Sequence, residues 1–536
     1  MQRCDCLPVG GVRVTYGDGV HPTPARSRNA RRRVIRLTAL TAAATLALPL
    51  LGTGPAAAVA PSLPAADVPP ALSAFYAQTL AWAPCGDDMT CSWLTVPRDY
   101  SQPDGATIRI RVSRVAASDP AARQGAVVVN PGGPGASGLD MPSYVAGAIA
   151  PDVAREFDIV GFDTRGVGRS APITCMTGAQ TTRWLRADGA PDTRAEQARL
   201  MSLGARLARG CLSMSPQIAR HVGTEDTVRD LDILRAALGE ARLNWLGYSY
   251  GTYVGTLYAE TFPETVGRFV LDGALDPSLD IMEVSRGQSR GFQVAMTRFA
   301  ADCSTRSTCP FAGGTKAVLA GVNRILAQVD SDPLPAGEDG DLVQGEALSA
   351  LFYAMYSPVL WSPLRQALKQ AKAGNGLGLQ LIADYANERT GPTSYATNMA
   401  SAFPAISCWD TPAAPGASGL RAAARAWSRG APVPDMARAL AWGNAPCSHW
   451  YGHSARLPAP ASSTTTAPIL VVGTTYDPAT PYTWAQALHR QLATSTLLTY
   501  VGDGHTAFGA GSDCIDDAVT GFLLTGTPPA PGTTCH

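Results

Sequence analysis

Gly247-Tyr248-Ser249-Tyr250-Gly251 stands between an apolar run, Leu243-Asn-Trp-Leu-Gly247, and a stretch of helical character from Thr252 to Thr261. A serine flanked by two glycines at a strand-to-helix junction has the pattern of a nucleophile elbow. Such a turn forces the serine into a strained backbone conformation, and the glycines remove the clashes that side chains would create there. The hydroxyl is left exposed above the sheet, at the positive end of a helix. A bare G-x-S-x-G arises often by chance. The strand before it and the helix after it give this one its weight.

The neighbouring sequence continues the alternation. Ala126-Val-Val-Val-Asn130, Phe157-Asp-Ile-Val-Gly-Phe-Asp163 and Arg268-Phe-Val-Leu-Asp272 are short apolar runs bounded by turn residues, as buried parallel strands require. From Thr224 to Leu238, Val228, Leu231, Leu234 and Leu238 recur at helical spacing. Strand and helix in alternation predict a parallel sheet with right-handed crossovers. After about Asp280 the pattern becomes helical, rich in Ala and Trp and without a clear strand series, and Asp330 to Asp341 reads as a loop within it. After the polar connector Ser462 to Thr466, α/β character returns with Ile469-Leu-Val-Val-Gly473, a helix from Trp484 to Leu492, and Thr496 to Val501. The expected organisation is a leader over 1–60, a linker over 61–80, a core over 81–280, a helical cap over 281–460 and the rest of the core over 461–536.

Of 536 residues, 46% are hydrophobic and 16% charged, and 43 Lys+Arg balance 43 Asp+Glu. That balance gives no support for nucleic-acid binding. Arg31 to Arg33, the apolar run Leu37 to Leu51 and the small residues Ala56-Ala57-Ala58-Val59-Ala60 read as an export signal with cleavage near Ala58 to Ala60. The run is too short for stable membrane insertion. Cys4 and Cys6 would leave with the signal, and ten cysteines remain, none in a C-x-x-C pair. In an oxidising compartment they predict five disulfides. Short loops favour Cys85–Cys91 and Cys303–Cys309, and Cys175 and Cys211 flank one insertion. Cys408–Cys447 would staple the cap, and Cys514–Cys535 would tie down the tail.

A serine nucleophile needs a base and a group that orients it, in the chain order Ser, acid, His for this kind of sheet. Of seven histidines, His505 lies in Gly502-Asp-Gly-His-Thr506, a glycine-flanked loop just after an apolar strand. His449 and His453, in the cap, are its rivals. Asp477 ends Val471-Val-Gly-Thr-Thr-Tyr-Asp477 and is the predicted acid, with Asp272 the runner-up; Asp503 is too near His505 in sequence to orient its ring. Two backbone N–H groups must receive the oxyanion. Tyr250 follows the nucleophile, and Gly133 lies in Asn130-Pro-Gly-Gly-Pro-Gly135. A phosphate-binding loop is the alternative there, but prolines at 131 and 134 remove donors. No metal or cofactor is implied.

These residues resemble the prolyl and tripeptidyl aminopeptidase group of α/β-hydrolases. Pro131-Gly-Gly-Pro-Gly135 is similar to the group's H-G-G-P-G, with Pro131 where proline-specific members carry His, and Asp163-Thr-Arg-Gly-Val-Gly-Arg-Ser170 matches D-x-R-G-x-G-x-S. Asn-Pro-Gly-Gly-Pro-Gly, Gly-Tyr-Ser-Tyr-Gly-Thr and the segment from Asp477 to Cys535 resemble the secreted tripeptidyl aminopeptidases of actinomycetes. The resemblance implies an α/β-hydrolase fold with a helical cap, and a secreted enzyme that takes short peptides, tripeptides foremost, from free N-termini. A carboxylesterase with the same triad is the rival enzyme, and a non-catalytic binding protein is the rival class. An exopeptidase needs a carboxylate for the substrate ammonium. Asp280, Glu283 and Asp410 are the candidates, with Trp409 and Trp450 as pocket walls. The plain alternatives are that acids at a helix start cap it and that tryptophans are core.

Overall fold

The computed structural model describes residues 68–86, 88–337 and 340–536, so the predicted signal and the first part of the linker lie outside the described residues. The apolar runs lie together in one ten-stranded sheet. Its strands are β1 (Ala83–Gly86), β2 (Met89–Pro97), β3 (Thr107–Val115), β4 (Gly125–Asn130) and β5 (Phe157–Phe162). They continue with β6 (Leu243–Tyr248), β7 (Val266–Asp272), β8 (Ile469–Tyr476), β9 (Ser495–Asp503) and β10 (Thr534–Cys535). The spatial order is β1-β2-β3-β5-β4-β6-β7-β8-β9-β10. From β5 to β10 every pairing is parallel, while β1, β2 and β3 form an antiparallel edge that meets β5 through β3.

The two kinds of strand carry different sequences for a physical reason. Every residue of β4 and β5 is buried, because helices cover both faces of a parallel sheet. Val128 packs into the core on one face and Val127 and Val129 into the core on the other; Leu271 and Val270 divide in the same way. On β3 only one face is apolar. Ile108, Ile110 and Val112 turn inward, while Arg109 and Arg111 lie over the Trp93 ring of β2. This sheet, with a helix following each central strand, is an α/β-hydrolase fold.

Helices fill the connections. The segment between β5 and β6 holds α1 (Gly178–Leu185), α2 (Arg194–Met214) and α3 (Thr224–Ala237), and α4 (Tyr250–Thr261) follows β6. Thr177 and Thr193 start α1 and α2 with reciprocal capping boxes to Gln180 and Glu196. Between β7 and β8 come α5 (Ile281–Ser304), α6 (Gln344–Met355), α7 (Leu377–Ala386) and α8 (Met399–Trp409), among other helices. This region has an apolar core of its own, centred on Phe292, Met296, Phe299, Leu326 and Leu351. Asp330 to Asp341 is not simply a loop: a helix runs to Ser331, and Leu334–Pro335 pairs with Asp341–Leu342.

The second half of the predicted linker is docked. Pro70–Leu72 and Ser73–Tyr76 are helical, the Tyr76 hydroxyl donates to Asp232 at 2.7 Å, and Gln78 exchanges two bonds with the backbone of Thr95. Phe75 and Tyr76 pack on the main core, which a flexible linker would not do.

All five expected disulfides are present: Cys85–Cys91, Cys175–Cys211, Cys303–Cys309, Cys408–Cys447 and Cys514–Cys535. They suit an oxidising compartment. No helix among the described residues is long and apolar enough to cross a membrane. Non-reducing peptide mapping should find these five pairs and no free thiol among the ten cysteines. Removing Cys408–Cys447, which closes a loop of 39 residues, should cost about 2–4 kcal/mol in chemical denaturation.

Candidate active site

Ser249 joins β6 to α4 with φ 55° and ψ −120°, a conformation that non-glycine residues rarely hold. Its surroundings leave no alternative. A Cβ on Gly247 would lie 2.4 Å from the carbonyl oxygen of Gly251, and one on Gly251 would lie 2.9 Å from Asn130 Oδ1. The Trp245 indole N–H donates to the Gly251 carbonyl at 3.0 Å, which locks the turn from below. The Ser249 N–H donates to the Asp272 carbonyl at 2.8 Å, so the end of β7 fixes the serine backbone.

Asp477 directly follows β8, and its fully buried carboxylate is saturated with donors. Oδ1 accepts the N–H groups of Ala479 and Thr480 at 2.8 Å each, and Oδ2 accepts the Thr480 hydroxyl at 3.0 Å and the Thr506 N–H at 3.2 Å. Both oxygens lie 2.9 Å from His505 Nδ1. Burial works against a charged imidazole, but the charge and hydrogen bond of Asp477 outweigh it, with Asp272 adding to them, so the His505 pKa lies above its ordinary value. His505 Cε1 is 3.3 Å from where a Cβ on Gly273 would stand, one residue beyond the Asp272 that holds Ser249. The end of β7 thus touches both the serine backbone and the histidine ring.

Asp272, the alternative acid, has another task. Its side chain is completely buried and accepts the N–H groups of Ala507, at 3.0 Å, and Phe508, at 2.8 Å. Burial pushes its carboxyl up to about 7, against the lowering effect of those two amides. It makes no bond to the His505 ring and instead fastens the loop that carries it. Asp503 pairs with Arg298 of α5. His453 bonds the Ser454 carbonyl, and His449 lies in a short helical turn, so no contact brings either rival to Ser249.

Gly132 packs against the elbow so closely that a Cβ there would be 2.5 Å from the Tyr248 carbonyl oxygen. Its N–H is taken by Asn130 Oδ1 at 2.9 Å. Among the described residues the N–H groups of Gly133 and Tyr250 have no acceptor. Behind this loop, Asp163 accepts the Ser137 hydroxyl at 2.6 Å and the Arg169 N–H at 2.8 Å. Arg165, wholly buried, forms a two-pronged pair with Asp230 at 2.6 and 2.8 Å. The Asp163–Ser170 motif therefore shapes the scaffold under the site.

The cap helices reach the same residues. Gln288 of α5 donates to the Ala479 carbonyl at 3.0 Å, and a Cβ on Gly291 would lie 2.5 Å from the Pro478 carbonyl oxygen. The carbonyl of Tyr356, just past α6, accepts the His505 backbone N–H at 2.8 Å, and the Tyr356 ring meets the imidazole edge-on at 5.1 Å. Asp280 and Glu283 bind each other's backbone in a capping box at the start of α5, the role such acids commonly have. Trp450 is 9% exposed and belongs to the main apolar core; Trp409 is half-buried against Tyr451 and Gly223. Asp410 differs from the other acids. Its carboxylate accepts the N–H of Thr224 at 2.9 Å and the Thr224 hydroxyl, which also meets the Tyr250 hydroxyl. Burial pushes Asp410 up to about 7; the Thr224 bonds oppose this, and the charges of Glu225 and Asp226 add to it.

A serine on a strained strand-to-helix turn, an imidazole with Nδ1 held by a carboxylate, and two unspent amide N–H groups are the parts that acyl transfer to a serine uses. A family model described as TAP-like protein matches residues 431–535. Serine protease Hip1 of Mycobacterium tuberculosis is 35% identical over 480 residues, covering 85% of this chain and 91% of that protein. Tripeptidyl aminopeptidase of Streptomyces lividans is 33% identical over 475 residues, covering 85% and 86%. Carboxylesterase B of Mycobacterium tuberculosis is 36% identical over 455 residues, covering 83% and 86%.

The geometry sets an order of effects. Asp477→Asn should lower kcat/KM by about three to four decades. Asp477 raises the His505 pKa, so its neutralisation should also move the acid limb of the kcat/KM profile to lower pH. Asp272→Asn leaves the His505 ring its partner and should cost less. Equal losses for the two variants would contradict the assignment of the acid.

Proposed function

Because the chain belongs to the TAP-like family of α/β-hydrolase serine peptidases and hydrolases, we propose that it is a secreted exopeptidase that releases short peptides, tripeptides foremost, from free N-termini. Ser249 attacks the scissile carbonyl while His505 takes its proton. The N–H groups of Gly133 and Tyr250 hold the oxyanion, and His505 then returns the proton to the leaving amine. Asp477 keeps Nδ1 protonated and stabilises the imidazolium. Water, activated by the same histidine, releases the acyl group from Ser249.

Asp410 is the observation that carries the amino-terminal reading. Its hydrogen bonds go to Thr224, and Glu225 and Asp226, which act on it electrostatically, carry charges of its own sign. A carboxylate in that position gains from an incoming ammonium, and Thr224 links it to Tyr250, the residue next to the nucleophile. The carboxylesterase reading rests on the 36% identity to carboxylesterase B, since the same residues hydrolyse esters.

Acetylation of the N-terminus of a good tripeptide substrate removes its charge and adds bulk, and kcat/KM should fall at least about a hundredfold. Asp410→Asn should lower kcat/KM for the free peptide and shrink the penalty for acetylation. Equal cleavage of free and acetylated peptides by the unaltered protein would end the aminopeptidase reading, and esters outpacing every peptide would favour the esterase.

A further inference from the structure

Helix α7 is apolar on two opposite faces. Leu379 and Ala383 are buried in the cap, yet Leu377, Leu381 and Tyr385 are 39%, 60% and 53% exposed. Their spacing of four residues sets these three in one stripe along the helix. A stripe of this kind on a surface helix is unusual unless something covers it.

The stripe does not stand alone. The Tyr385 ring packs against Tyr353 of α6 at 5.4 Å. Tyr353 and Tyr356 lie three residues apart, on neighbouring positions of the same helical end. Tyr356, 39% exposed, is the residue whose ring meets His505 at 5.1 Å and whose carbonyl holds the His505 N–H. Aromatic side chains therefore lead from the imidazole, by Tyr356 and Tyr353, to Tyr385 and the exposed stripe of α7.

The chemistry says which part of a substrate lies there. In acyl transfer the histidine delivers its proton to the leaving group, so the leaving portion sits on the histidine side of the serine. We propose that the surface from Tyr356 through Tyr353 and Tyr385 to Leu381 and Leu377 is a subsite for apolar residues on the leaving side of the scissile bond. On the exopeptidase reading, on which this rests, these are the residues that remain after the N-terminal peptide is removed. From Leu377 to Tyr385 the helix rises about 12 Å. That length matches about three or four residues of extended chain at about 3.3 Å each. The enzyme thus selects its substrates partly by the sequence downstream of the cut, which substrates with a small chromogenic leaving group do not report.

The test holds the released tripeptide constant as Ala-Ala-Ala and varies only the residues downstream of it, either leucine and phenylalanine or serine and asparagine. Release of the tripeptide is monitored by mass spectrometry. The unaltered protein should favour the apolar continuation in kcat/KM by at least about tenfold. The exposed double variant Leu381→Ser/Tyr385→Ser, checked for an unchanged melting temperature, should bring that ratio to within about threefold. Should the variant fail to fold, Leu381→Ser alone carries the same comparison. If no peptide is cleaved, the exopeptidase reading fails, and hexyl and ethyl acetate, which share an acyl group and differ only in the leaving alcohol, test the subsite in its place. An unchanged ratio in the variants, or no preference in the unaltered protein, overturns the proposal. So does an unchanged ratio accompanied by conversion of a dimer to a monomer in sedimentation, which would make the stripe a contact between copies.

Discussion

The backbone of Ser249 is held where it would not rest by itself. A non-glycine residue at φ 55° and ψ −120° costs on the order of 1–3 kcal/mol, and it persists only where its neighbours enforce it. Here Asn130, Trp245 and Asp272 close on the turn from three strands, and Gly132, Gly247 and Gly251 are the points where no side chain fits. Asp272 extends the constraint. Its carbonyl holds the Ser249 N–H, and its carboxylate holds the amides of Ala507 and Phe508, so one residue sets both the elbow and the histidine loop.

Core and cap share the work of positioning. Ser249, Asp477 and His505 stand just past the ends of β6, β8 and β9, the edge at which an open α/β sheet presents groups to a ligand. The cap then touches each loop. Gln288 and Gly291 press on the segment after Asp477, Arg298 holds Asp503, and Tyr356 holds His505. On the other side, Gly135 of the loop after β4 packs against Ala402 and Phe403 of α8.

Much of this was legible in the sequence, and the gaps have physical causes. The central strands declare themselves because burial on both faces demands unbroken apolar runs, and the elbow because a strained serine needs small neighbours. Asp477 and His505 could be paired because each follows an apolar strand late in the chain, although Asp272 satisfied the order as well. The antiparallel edge went unread although Ile108-Arg-Ile-Arg-Val112 alternates with period two, and the docked Phe75 and Tyr76 directly follow the Ala/Pro-rich stretch whose linker reading was carried over them. Asp280 and Glu283, three residues apart at a helix start, carried the capping signature that the structure displays. Thr480 was missed as well. Its Asp-x-x-Thr spacing from Asp477 is a local turn signal, but its approach to His505 Nδ1, 3.3 Å, depends on a loop from another strand. The contact of Tyr356 with His505 and the apolar stripe of α7 depend on how the cap settles, which no local pattern records.

Transfer of an N-terminal fragment of a peptide to Ser249 is the step on which the proposed activity depends. Rapid acid quenching of the enzyme during turnover of a peptide with a free N-terminus, then proteolysis and mass spectrometry, tests it most directly. The expected result is an adduct on Ser249 with the mass of the substrate's three N-terminal residues. An adduct on another residue, a fragment from the interior or C-terminus of the substrate, or a pre-steady-state burst of product without any acylated serine would contradict it.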